Sequence, residues 1–289
     1  MINIILGILC FNVILVLFKF LGIKKIDNLQ ALLFNYLFAG LYGIWYSWEI
    51  FTWDNLVYAD YSPYGFGIGF FFITSFLLLA IAAQKIGMGI STTANKMSVI
   101  LPIIAAIVLF NESVTVQKII GISLALLAVY FVTKTKNNQA NINIKNTLLL
   151  LLIFIGQGVA DIFFNLAQTL YVNEAQTGLF FTCIFLSASA IGVIMLFYKL
   201  LKKQTRFNAK AIFWGFLIGT FNFGTLYFFF QALESEILES SKIYPIFNIA
   251  IVLIAALVGY FGFKEKLNMK NWLGIAFAVI SIVLLSFQL

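Results

Sequence analysis

The sequence has no histidine, two cysteines and three prolines, and only 10% of its 289 residues are charged. Each scarcity closes off a class of function. Without histidine the commonest proton shuttle and metal ligand is missing. The two cysteines, Cys10 and Cys183, both fall inside apolar runs, which favours packing over a disulfide framework or a metal site. No GxxxxGK[ST] stretch is present to cradle a nucleotide phosphate. Clustered carboxylates and a buried nucleophile beside a base are also lacking, so an enzyme is the poorest of the available readings. No cofactor and no metal are expected.

What fills the chain instead is hydrophobic: 62% of the residues, in runs of about 20 that recur from end to end, each long enough to cross a hydrocarbon core as a helix. The lipid bilayer is the expected solvent. The start "MINIILGILCFNVILVLF" lacks a basic n-region and a small-residue cleavage site, and reads as a first membrane helix, not a cleaved signal peptide. A net charge of +7 would suggest nucleic acid in a soluble chain; here the basic residues lie in short loops between apolar runs and read as topology signals, with no nucleic-acid partner expected.

The polar breaks predict ten helices, near 2–20, 29–48, 65–84, 88–110, 116–133, 146–168, 176–198, 210–231, 238–262 and 270–287. Fifteen of the 18 Lys and Arg residues, from Lys19, Lys24 and Lys25 to Lys264, Lys266 and Lys270, share one face, and Lys118 falls on the other. That bias puts the basic loops in the cytoplasm and both termini outside, in the cell inner (cytoplasmic) membrane. The segment "WYSWEIFTWDNLVYADYSPY" (Trp45 to Tyr64) then lies at the outer surface as an interfacial aromatic belt.

The two halves match weakly but collinearly: Gly7 over Gly156, Asn12 opposite Asp161, Gln84 over Gln231, Glu112 over Glu265 and Gly121 over Gly274. Five helices per half makes the repeat inverted, with units 1–137 and 138–289 and a site expected between them. Lys96 pairs with Lys242, although the spacing from lysine to the following glutamate is seven residues longer in the second half.

This order, in duplicate, of a polar residue in helices 1 and 6, a proline in helices 4 and 9 (Pro102, Pro245), and Glu112 or Glu265 followed nine residues on by Gly121 or Gly274, resembles the drug/metabolite transporter superfamily, specifically its EamA-like branch. The resemblance implies an all-α membrane protein of ten transmembrane helices that exports or exchanges amino acids, sugars, nucleotide sugars or organic phosphates. Relatives are usually drawn with cytoplasmic termini, the reverse of what the lysines of this chain indicate.

A lysine near the centre of a membrane helix costs roughly 2.5 to 3.5 kcal/mol on insertion scales. Lys96 and Lys242, each expected roughly 6 to 12 Å deep, could flank a central cavity. Lys242 could instead snorkel to the interface or pair with Glu239, and Lys96 could form a structural salt bridge to Asp161, the acid well inside an apolar run. Asn95 and Thr92 would hydrogen-bond cargo near Lys96. Asn12, Asn35, Asn165, Asn222 and Asn248 face either substrate or neighbouring helices. Pro102 and Pro245 free backbone carbonyls or open the cavity by kinking their helices. Gly121 with Ala125, and Gly274 with Ala278, suit close packing within the chain or a homodimer through helices 5 and 10.

The leading expectation is a secondary transporter that moves a small polar metabolite by alternating access. Lys96, Lys242 and Asp161 sum to +1, which favours an anionic or zwitterionic cargo. A carrier or flippase of a lipid-linked substrate is the alternative, and a membrane-embedded enzyme the third reading.

Overall fold

A computed structural model describes residues 2–110, 115–133, 144–234 and 240–286, and all regular structure among them is helical. A lipid solvent suits this, because a helix satisfies its own backbone hydrogen bonds. The helices are α1 (Ile2–Ile23), α2 (Asn28–Tyr46), α3 (Trp53–Val57), α4 (Ser62–Lys85), α5 (Met88–Lys96), α6 (Ile100–Phe110), α7 (Val116–Thr133), α8 (Ile144–Leu170), α9 (Thr177–Leu201), α10 (Lys210–Glu234), α11 (Ser240–Leu257) and α12 (Met269–Ser286). Among the described residues α1, α4, α8, α9 and the Lys210–Phe229 part of α10 are long and apolar enough to cross a membrane, and Val116–Val132, Ile246–Gly262 and Met269–Leu285 are shorter apolar segments.

Two elements depart from the expected runs. The run expected at 88–110 is broken into α5 and α6 by a 3-10 turn, Met97–Val99. The aromatic segment holds a short helix of its own, α3, capped by Thr52, whose Oγ1 accepts from the Asn55 N–H at 3.0 Å. Tyr61 is buried beneath it and donates to the Asn55 carbonyl at 2.7 Å, while Trp45, Trp48, Trp53 and Tyr58 point outward, as rings at a headgroup layer do.

The packing joins distant parts of the chain. Helix α2 lies between α9 and α10; α1 packs on α10, α4 on α8 and α9, α5 on α11, and α7 on α12. Lipid gives no hydrophobic drive between helices, so small residues set how close they come. Gly215 and Gly219 lay the backbone of α10 directly on α2: a Cβ at Gly219 would stand 2.6 Å from the Asn35 carbonyl, and one at Gly215 2.7 Å from that of Ala31. On α12, a Cβ at Gly274 would stand 3.0 Å from the Val132 amide, while Gly121 of α7 packs against Leu285. Gly121 and Gly274, on predicted helices 5 and 10, thus seat those two helices on each other inside the chain.

Candidate functional site

The break in the fourth run has a local cause. Pro102 has no amide hydrogen for the carbonyl of Ser98 four residues back, and its ring crowds that carbonyl. The chain tightens just ahead of it, and Ile100 N–H turns to the carbonyls of Met97 and Ser98. Lys96 is the last residue of α5 and stands at the entrance of this turn. Its ammonium lies over the ring of Phe11 on α1, with Nζ 4.4 Å from the centroid. Such a cation–π contact contributes about 2 kcal/mol when desolvated.

Helix α8 supplies the opposite charge. Gln157, Asp161 and Asn165 are spaced by four and share one face. Asp161 Oδ1 accepts from Gln157 Nε2 at 2.8 Å and Oδ2 from Ser98 Oγ at 3.2 Å. Gln157 Oε1 in turn accepts from Asn95 Nδ2 at 3.2 Å. Both carboxylate oxygens therefore have donors in a place where an unanswered charge would be costly.

Lys96 and Asp161 face one cavity of about 350 Å³, within the range of small-molecule sites. Rings of Phe72 and Phe76 from α4, Phe164 from α8, Phe229 from α10 and Phe247 from α11 form its apolar wall. The lining residues of α8 and α10 come from the second halves of those helices, so the cavity is displaced from the lysine-rich end, where Lys145 and Lys210 begin them.

Of the residues singled out in the sequence, Asn95, Lys96, Pro102, Asp161, Asn165, Asn222 and Asn248 line the cavity. Asn35 stands behind it, its Oδ1 accepting from Asn222 Nδ2 at 3.1 Å. Asn12 is buried, donates to the Ile8 carbonyl of its own helix at 2.9 Å, and is not part of the lining. Thr92 is also outside it, fully buried one turn from Lys96 toward the lysine-rich end, with Oγ1 lacking a hydrogen-bond partner. Lys242 and Pro245 fall in the first turns of α11, but their side chains, like all of Glu112 and Glu239, lie outside the described residues.

The direct salt bridge between Lys96 and Asp161 is not formed: among the described residues the ion pair within 4.0 Å is Lys19–Glu265. Phe11 takes the ammonium, and Gln157 with Ser98 takes the carboxylate. Among the described side chains, the charges in the lining are Lys96 and Asp161, a separated pair of opposite sign. Phe11, Ser98 and Gln157 are the site residues that the sequence reading missed. The four-residue step to Asp161 marks Gln157, and the four-residue step back from Pro102 marks Ser98. Phe11 carries no such signal, being one ring among many in an apolar run.

Comparison with known proteins points to a family. The model of the EamA-like transporter family, a family of transporters and not enzymes, matches residues 144–287. An uncharacterized protein of Haemophilus influenzae is 29% identical over 97% of this chain and 96% of its own. A probable 4-amino-4-deoxy-L-arabinose-phosphoundecaprenol flippase subunit ArnE of Proteus mirabilis is 40% identical over 80 residues, 27% of this chain and 67% of that protein. With its apolar helices and these matches, the chain belongs to the drug/metabolite transporter superfamily, in the EamA-like transporter family.

Proposed function

We propose that the chain is a secondary transporter that binds a small zwitterionic metabolite, carboxylate toward Lys96 and ammonium toward Asp161, and carries it across the cell inner membrane by alternating access. The observation that carries this reading is the separation of two opposite charges that face one cavity. Charges 4 Å apart at an effective dielectric of 20 attract by about 4 kcal/mol, so they close on each other unless other partners hold them. Here Phe11 holds one and Gln157 with Ser98 the other. A dipolar molecule offers a counter-charge to both; a purely anionic one brings a second negative charge into the cavity beside Asp161. With no nucleotide-binding motif, the energy comes from an ion or substrate gradient.

The same reading takes the chain as ten membrane crossings in two inverted halves, 1–137 and 138–289, with α5 and α6 as one crossing and α3 as none. Its support is an exchange of packing partners. Advancing every crossing by five turns the α1–α10 contact into α8–α4 and the α2–α10 contact into α9–α4, while α2–α9, α5–α11 and α7–α12 map onto themselves. In this register Asn248, not Lys242, corresponds to Lys96. Each is the ninth residue of its helix, and the next glutamate follows after 16 residues in one case and 17 in the other, which removes the seven-residue defect.

A carrier of a lipid-linked substrate is the second reading, favoured by the partial match to a flippase subunit. Counterflow in proteoliposomes distinguishes the two. Preloaded zwitterion should drive uptake of labelled zwitterion, and both Lys96→Met and Asp161→Asn should abolish it. Carriage of only anions or only cations, or movement of a lipid-linked sugar without counterflow, sinks the first reading. An alkaline phosphatase fused after Leu289 should be active if the termini are outside.

A further inference from the structure

We infer that Glu265 is the bolt of a gate that holds the lysine-rich end of the pathway shut. Its Oε1 receives Lys19 Nζ of α1 at 2.7 Å and the N–H of Met88, the first residue of α5, at 2.8 Å. The three partners come from α1, α5 and the segment after α11, and each of those helices also lines the cavity. Met88 precedes Lys96 by eight residues and Lys19 follows Phe11 by eight, so the bolt crosses the pathway about 12 Å from the charge pair.

The surroundings are shaped around this carboxylate. Helix α11 ends in a π-helical turn, Val258–Gly262, and Glu265 is pinned beyond it by donating its N–H to the Gly259 carbonyl at 3.0 Å. Gly87 has φ of 137°, a conformation open to glycine, and a Cβ there would stand 2.6 Å from Oε2. A Cβ on Gly259 would collide with the same oxygen. Two glycines on different elements leave room for one side chain. The Met88 amide is among the unsatisfied donors at the positive end of a helix, where an anion is favoured. The Glu265 side chain is only 7% exposed, so this contact is not a solvent-screened surface pair.

The bolt is also incomplete. Oε2 is buried without a hydrogen-bond partner, and an acceptor left so costs about 1 to 3 kcal/mol. The closed end is held by one oxygen and weakened by the other, which suits a contact that must release in each cycle. Thr92 lies between bolt and cavity, one turn from Lys96 on the same face of α5. Opening the gate wets it.

The transporter reading supplies what the gate is for, and the test needs no cargo. In a chain with Cys10 and Cys183 changed to alanine, Thr92→Cys is labelled by a membrane-impermeant maleimide from the lysine-rich side of oriented proteoliposomes. Labelling should be slow with Glu265 intact and ~10-fold faster with Glu265→Gln or Lys19→Met, as the open population rises. Exchanging the charges with Lys19→Glu and Glu265→Lys should leave it fast, because lysine cannot accept from Met88 N–H. Should Glu265→Gln fail to fold, Glu265→Asp, which withdraws the charge by one methylene, should give the same acceleration. Unchanged labelling in the single variants overturns the gate. Slow labelling in the exchanged pair reduces it to an ordinary ion pair and overturns the helix-end contact. Failed counterflow with the labelling pattern intact removes the cargo assignment and leaves the gate standing.

Discussion

The run through α5 and α6, and the run through α11 with the turn after it, are alike in length and composition yet break in different places. The first breaks at Met97–Val99, beside the cavity; the second continues unbroken from Ser240 past Asn248 to Leu257 and loosens only at Val258–Gly262. Proline position accounts for the first difference. Pro102 lies deep in its run, so the carbonyl it frees is that of Ser98, whose hydroxyl holds Asp161. Pro245 is the sixth residue of α11, and the carbonyl it frees belongs to the first turn. One residue type builds a site in one run and leaves the helix axis intact in the other. The two runs have divided the labour: Lys96 and the broken helix at the cavity in the first, the π turn and Glu265 beyond it in the second.

Removing the charges should have the largest effect. Lys96→Met and Asp161→Asn should each lower counterflow by ~100-fold or more with an unchanged elution profile in detergent, because each leaves the other charge to hold the cargo alone. Normal transport by either variant would make the pair structural. Next comes the proline contrast. Pro102→Ala should restore a continuous helix, raise the melting temperature and lower transport ~10-fold by moving Lys96 off Phe11, whereas Pro245→Ala should change transport by less than about twofold. Equal effects would erase the difference between the runs.

At the lysine-rich end the matched pair is Gly87→Ala and Gly262→Ala. The first forces a side chain into a positive φ and against the Glu265 carboxylate, and should cost about 1 to 2 kcal/mol in thermal unfolding. A Cβ at Gly262 meets only Val258 Cγ1 at 3.7 Å, so the second should be neutral within about 0.5 kcal/mol. The smallest effect belongs to Asn12→Ala. Its amide serves its own helix, so transport should fall by no more than about twofold, well short of the loss at Asp161.

The helical runs and the charged pair were legible in the sequence because bilayer-length apolar stretches and buried charges are both rare signals. The break after Lys96 was half legible: Pro102 announced a disturbance, but its form depends on which neighbours accept the freed groups. Phe11 and Lys19 were invisible as partners, since their roles come from α1 packing beside α5 and α11, a tertiary fact. The pairing of Lys96 with Lys242 matched residue type ahead of position in the helix, whereas the proposed register matches position and sets Asn248 opposite Lys96.

The seams between helices bear on how such a molecule can move. Gly215 and Gly219 weld α10 to α2, and Gly274 seats α12 on the backbone of α7. Each weld joins a helix from before residue 137 to one from after it. The proposed boundary at 137 is therefore not a mechanical one, and the two proposed halves cannot rock against each other as rigid bodies without tearing backbone from backbone. Any hinge has to run between mixed bundles, each assembled from both halves. A cross-link between α2 and α10 should leave the cycle running, whereas one between α1 and α5 should stop it.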